Sequence, residues 1–153
     1  MKKQQMITRE EILRLDPCDE AKSFMNRKYP DVNELSVEDL YEIVKDKTLY
    51  RDWLIEHFPI FYEYCLKIYF EKYSKEIAGF RLGKPEEYKL GTKVMIAPWS
   101  VFYGQFKGVG EIKKIGDDNW VTVKTKTGYQ NIYRIGFQSV DGGIHDLLIK
   151  IKQ

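Results

Sequence analysis

Trp120-Val121-Thr122-Val123-Lys124-Thr125, followed by Lys126-Thr127-Gly128 and then Tyr129-Gln130-Asn131-Ile132-Tyr133-Arg134-Ile135, decides the architecture of the second half of the chain. The first six residues alternate between apolar and polar. That is the mark of a half-buried strand, because successive side chains of an extended chain point to opposite faces. Thr127-Gly128 supplies a turn and Asn131 to Ile135 a return strand, and Trp120 is expected to be largely buried. On the N-terminal side, Gly116-Asp117-Asp118-Asn119 is a turn made of residues that tolerate tight backbone conformations. Before it, Gly110 to Ile115 forms a strand with Ile112 and Ile115 as its inward residues, and Lys93-Val94-Met95-Ile96 forms another. On the C-terminal side, Asp141-Gly142-Gly143 leads into a last strand, Leu147 to Ile151.

Five short strands joined by tight turns predict a small closed barrel of the SH3-like kind, a shape that leaves no edge strand open. Upstream of Tyr88 the period lengthens from 2 to 3.6. Thr8 and Glu11 form a capping box, and Asp16-Pro17 reads as a second helix start, followed by Cys18, Ala21, Phe24 and Met25 on one face. Ser36 caps a third helix carrying Leu40, Tyr41, Ile43 and Val44. A fourth runs from Thr48 to His57 with Leu49, Trp53 and Leu54. After Pro59 a longer helix extends to about Ala78, with Phe61, Tyr64, Cys65, Ile68, Tyr69 and Tyr73 along one stripe. Gly79 to Glu87 reads as a connecting segment. The expected fold class is α+β, with a helical region at 1–80, a linker at 81–87 and the barrel at 88–153.

Charge supports this division. Residues 1–87 hold 15 Lys and Arg against 18 Asp and Glu, a net of −3, whereas residues 88–153 hold 10 against 5, a net of +5. A mildly basic second half admits an acidic partner without requiring one. Two cysteines, Cys18 and Cys65, and two histidines, His57 and His145, can build neither a disulfide framework nor a zinc site. Both cysteines fall on apolar helical stripes and are expected to be buried. No run approaches the roughly 18 apolar residues of a membrane helix and no signal-peptide core is present, so a cytoplasmic protein is expected.

From Val109 to Leu147 the sequence resembles the Mib/Herc domain of eukaryotic ubiquitin ligases. The shared positions are Gly110, Trp120, Val121, Val123, Gly128, Asn131, Tyr133, Arg134, Gly136, Asp146 and Leu147. Upstream, Gly91, Val94, Trp99, Gly104, Gln105 and Gly108 sit where that family has its entry strand and its tryptophan-containing loop. The chain departs from the pattern at Thr125-Lys126, where the family has Trp-Asp, and at Phe106, where it has an acidic residue. The resemblance implies a barrel that binds polypeptide. The zinc fingers and ligase domain that accompany it in those proteins are excluded by the cysteine count. The first half, through Asp16-Pro17-Cys18-Asp19-Glu20-Ala21 and a later Trp-containing helix at Tyr50 to Glu56, resembles a helical module of phage and prophage proteins. That likeness implies a phage or mobile-element inhibitor or adaptor acting on a host protein, such as a defence nuclease.

No nucleophile-base pair and no phosphate-cradling glycine loop can be assembled. Gly108-Val109-Gly110 is too short, so no enzyme, cofactor or metal is expected. Four large rings, Trp99, Phe102, Tyr103 and Phe106, cluster in one loop, where they either lid the barrel core or form a contact surface. Tyr133 and Arg134, with Trp120 alongside, form the other candidate. Arg134 either clamps a peptide carboxylate or bonds Asp146 within the fold. A protein or peptide partner is the first expectation. Nucleic acid is the second, through Lys107, Lys113, Lys114, Lys124 and Lys126 among the aromatics.

Overall fold

A computed structural model describes residues 4–117, 119–138, 143–144 and 146–151. The expected Asp118 turn residue, the Asp141-Gly142 pair and His145 lie outside the described residues. The chain forms two compact units, Met1–Leu66 and Lys67–Gln153.

In the first unit, strand β1 (Met6–Thr8) pairs antiparallel with β2 (Glu34–Ser36), and each strand feeds a helix. This small ladder was not legible as strand, because three residues are too few to show a period. Helix α1 (Arg9–Arg14) opens on the predicted capping box: Thr8 Oγ1 accepts the Glu11 N–H at 3.0 Å, and the Glu11 carboxylate accepts the Thr8 N–H. Helix α3 (Val37–Val44) starts at Ser36, whose hydroxyl accepts the Asp39 N–H at 3.1 Å. Both hydroxyls satisfy backbone donors that an α-helix leaves orphaned in its first turn.

Helix α2 begins two residues later than its sequence signal, at Asp19 in place of Pro17, and runs to Lys28. Asp16 adopts a left-handed backbone (φ 51°) and donates its N–H to Leu13 O, so it ends α1 instead of opening α2. The cap falls on Cys18, which is exposed, contrary to the expected buried thiol; Cys65 is buried. Helix α4 (Thr48–His57) and helix α5 (Pro59–Lys72) meet at Phe58, with Pro59 in the first helical position. The unit's core is Ile7, Val37, Leu40, Val44, Leu54, Ile55, Phe58, Phe61 and Cys65. Leu49 points outward and is 84% exposed, and α1 and α2 bury no residue fully.

The second unit is built on a curled antiparallel sheet of six strands: β3 (Phe80–Leu82), β4 (Lys93–Ile96), β5 (Val109–Ile115), β6 (Trp120–Thr125), β7 (Gly128–Tyr133) and β10 (Leu147–Lys150). Their order is β3-β10-β4-β5-β6-β7. The two short strands β8 (Phe137–Gln138) and β9 (Gly143–Ile144) pair with each other. The expected linker therefore contains a strand and, at Pro85–Glu87, a 3-10 turn. Phe80–Leu82 pairs along β10, Leu82 opposite Leu148. The sheet has six strands in place of the expected five.

The inner face holds Tyr88, Val94, Ile96, Phe106, Ile112, Val121, Val123, Ile132, Leu147 and Ile149. A second cluster on the other face of β4 and β10 holds Met95, Ala97 and Leu148 with Ile77, covered by Phe70, Tyr73, Phe80, Leu82 and Trp99. Strands covered on both faces read as unbroken apolar runs, which accounts for Val94-Met95-Ile96-Ala97 and Leu147-Leu148-Ile149. A bulge between Ile112 and Lys114 lets two residues three apart share one face. Ile112 lies opposite Val123 and Ile115 opposite Val121. Ile115 sits at the strand end, past the core, and stays 43% exposed. Trp120, expected inside, is only half-buried: Val121 and Val123 take the inward face, so alternation turns Trp120 outward.

Where β5 crosses β6 the backbones leave no room for a side chain. A Cβ on Gly110 would lie 2.7 Å from Val123 Cγ1 and 2.8 Å from Lys124 O. Gly110→Ala is expected to lower stability by about 1–3 kcal/mol, the usual cost of forcing a methyl into a packed core. A thermal melt equal to that of the parent chain would show that the two strands approach less closely than described.

Candidate partner-binding surface

Trp99, Arg134, Gly136, Asp146 and Leu147 belong to one hydrogen-bonded network inside the second unit. Asp146, fully buried, accepts the Trp99 Nε1–H at 3.0 Å and the Gly136 N–H at 2.6 Å, and its backbone oxygen accepts the Ala97 N–H at 2.9 Å. Gly136 has φ 97°, a conformation that a side chain would oppose, and this conformation presents its N–H to the carboxylate. Leu147 accepts the Tyr88 hydroxyl on its carbonyl, and the Tyr88 oxygen accepts the Gly83 N–H at 3.0 Å. Burial pushes the Tyr88 phenol up to about 12, so it stays protonated and keeps donating.

Arg134 is held from several sides. Its Nη2 donates to Asn119 Oδ1 at 2.9 Å, its Nη1 reaches Pro85 O at 3.4 Å, and its own N–H donates to Asn119 O at 3.0 Å. Its carbonyl accepts the Leu147 N–H at 3.0 Å. Asn119 can offer both oxygens because it sits in the left-handed region (φ 69°), which Asn tolerates better than most residues. The guanidinium thus braces the β5–β6 turn against the 3-10 turn, in place of the anticipated bond to Asp146.

The aromatic loop is divided among three environments. Trp99 stacks on Tyr69 (5.4 Å, 23°) and packs on Phe70 and Tyr73, closing the second cluster. Phe106 is 6% exposed in the inner core, and Phe102 packs partly against the same core. Tyr103 is half-buried, with Lys107 Nζ 5.7 Å from its ring centroid. Of the two uses this loop admits from sequence, three of the four rings take the packing one.

What remains open is the outer face of β5, β6 and β7. Strand register sets three rows across it. Trp120 lies opposite Tyr133, with rings edge-to-face at 5.7 Å. Thr122 lies opposite Asn131, its hydroxyl donating to Asn131 Oδ1 at 2.7 Å, and beside Lys114. Lys124 lies opposite Tyr129 and beside Glu111, with its Nζ 5.7 Å from the Tyr129 ring centroid. Tyr129 is 61% exposed, and the sequence reading overlooked it because it abuts the turn. Glu111 accepts both Lys113 and Lys93, and these bonds hold its carboxyl down at about 2. Those pairings persist from neutral pH down through the usual carboxylate range and are lost only towards pH 2. Of the five anticipated lysines, Lys113, Lys114 and Lys124 belong to β5 and β6. Lys107 belongs to the aromatic loop and Lys126 to the hairpin turn, both exposed. Among the described residues no helix is long and apolar enough to cross a membrane.

Comparison with protein-family models, with curated proteins and with solved structures returns no match to this chain.

The network makes separable predictions. Asp146→Ala leaves two part-buried donors without their carboxylate and is expected to cost about 3 kcal/mol or more, since hydrogen bonds to charged groups are worth roughly 1.5–3 each. Trp99→Phe keeps the ring on Tyr69 but removes the donor, and should cost about 1–3 kcal/mol. The two losses should not add, because both variants break the same bond. Fully additive losses would mean that Trp99 and Asp146 are energetically independent. Arg134→Lys should lower the melting temperature, because an ammonium cannot span Asn119 and Pro85 as the planar fork does.

Proposed function

We propose that this chain is a noncatalytic protein-binding module whose contact surface is the outer face of β5–β7, centred on Tyr129, Tyr133 and Trp120. The observation that carries this reading is the exposure of Tyr129 on the same sheet face as the half-buried rings of Tyr133 and Trp120, while three of the four loop rings are spent on packing. Rigid amphipathic aromatics lose little entropy on binding and dominate interface energies. We read the curled sheet as an SH3-like barrel of the Mib/Herc kind, which favours a polypeptide partner. In a phage or mobile-element setting the module would act as an inhibitor or adaptor on a host protein.

Nucleic acid is the second reading, favoured by Lys124 lying against Tyr129 and by Lys114 in the next row. Weighing against it, Glu111 pairs with both Lys93 and Lys113 and offsets one of their two charges, and Trp120 and Tyr133 meet edge-to-face instead of offering parallel stacking planes.

The test is affinity capture from a host lysate with and without nuclease, followed by titration of the captured partner. Tyr129→Ala and Tyr133→Ala should each weaken binding by about 2 kcal/mol or more if they are anchors. Circular dichroism should show the fold retained, and nuclease should leave the capture unchanged. Binding that nuclease abolishes, and whose affinity falls with salt at a slope near −0.7 per single-strand phosphate contact, would establish the second reading instead.

A further inference from the structure

The first unit carries a feature that the barrel surface does not explain. Its elements line an apolar cavity of about 680 Å³, half open to solvent, between α2 and the α3–α4 pair. Ile12, Ala21, Phe24, Met25 and Trp53 line it, and all of them stay only partly buried in a unit of modest size. The apolar side chains that α1 and α2 turn toward this space are accordingly not fully buried. Phe24 of α2 reaches α4 through a ring contact with Tyr50 at 5.5 Å, and Lys47 Nζ lies 5.1 Å from the Phe24 ring centroid.

We infer that this cavity is a binding site for a compact, uncharged apolar small molecule, such as one with fused or linked aromatic rings. Three observations fix the class. The volume lies within the roughly 300–1,000 Å³ of small-molecule pockets, which are mainly apolar with a few polar groups at the edge. The charged residues in the wall are two basic, Arg9 and Lys47, and two acidic, Glu20 and Glu34, so no net charge selects an ion. The Arg9 guanidinium is already occupied, donating to the carbonyls of Val32 and Tyr29 and to Asn26. Aromatic walls from Phe24, Tyr29, Tyr50 and Trp53, with the polarizable Met25 sulfur among them, suit rings better than a charged or sugar-like ligand.

The site is independent of the sheet surface proposed above, and the experiment keeps the two apart. N-phenyl-1-naphthylamine, a neutral probe that brightens on apolar burial, is titrated into the full chain. Saturable one-to-one binding in the micromolar range is expected, with dodecanol competing better than dodecanoate. Ala21→Trp, which fills the cavity from α2, should weaken the probe at least tenfold, and Tyr129→Ala should leave it unchanged. Cys18 supplies a second readout should the tryptophan variant misfold. It lines the cavity and is exposed, whereas Cys65 is buried, so a thiol reagent reports on Cys18 alone. Probe should slow its reaction severalfold. The inference is overturned if no saturable binding occurs, if folded Ala21→Trp binds as well as the parent, or if Cys18 reacts equally with and without probe. It is also overturned if sedimentation shows a dimer in which Cys18 is protected before any probe is added, since a second copy would then be the occupant.

Discussion

The second unit hangs on one buried carboxylate. Asp146 accepts the Trp99 indole and the Gly136 amide, and its main chain accepts Ala97. A carboxylate without water around it is costly unless its lone pairs are filled. The chain therefore has to bring the end of β4, the turn after β7 and the start of β10 to one point. Once they are there, Leu147 is placed to accept Tyr88, and Arg134 to receive the Leu147 N–H. Gly136 follows from the same requirement, because its positive φ presents the amide to Asp146.

That geometry decides which surface is left open. Trp99 is pulled toward Asp146 on one side and stacks on Tyr69 on the other, so the last turns of α5 and the segment through Ile77 cover β4 and β10. Phe106 and Phe102 fill the inner face. Among the described residues, β5, β6 and β7 keep an uncovered side, and its rows combine rings, amides and paired charges. Tyr129 is exposed in a unit whose other described rings are buried or half-buried, which marks this face as a candidate contact surface.

Much of this was legible from sequence where the signal was periodic or chemical. The Thr8–Glu11 box, Ser36, the span Thr48–His57 and strands 93–96 and 120–125 all follow local rules and appear with the expected bounds. The readings that failed each turned on a long-range competitor. Asp16-Pro17 looks like a helix start, but Asp16 is taken by the end of α1. Phe80–Leu82 looks like a linker because its ladder partner, β10, lies nearly seventy residues away. Trp120 carries the largest apolar side chain of its strand, yet two valines fix the face and leave it outside. The apolar cavity could not be read at all. Amphipathic helices predict an apolar face, and nothing local says whether that face meets a neighbour or a void.

Thr125 and Phe106 complete the account of the surface. Thr125 is buried; its hydroxyl donates to Gly128 O at 3.2 Å and accepts the Thr127 N–H at 3.3 Å. Thr127 in turn donates to Gln105 O at 2.7 Å, stapling the hairpin turn to the aromatic loop. Phe106 goes into the core. Both residues hold the loop down. With the Trp99–Asp146 and Arg134–Asn119 bonds fixing the framework and the loop closed in this way, the exposed ring of Tyr129 and the half-buried rings of Tyr133 and Trp120 lie together on the outer face of β6 and β7. The contact proposed above should therefore depend on Tyr129 and Tyr133 and be indifferent to Phe106, which the core has already taken.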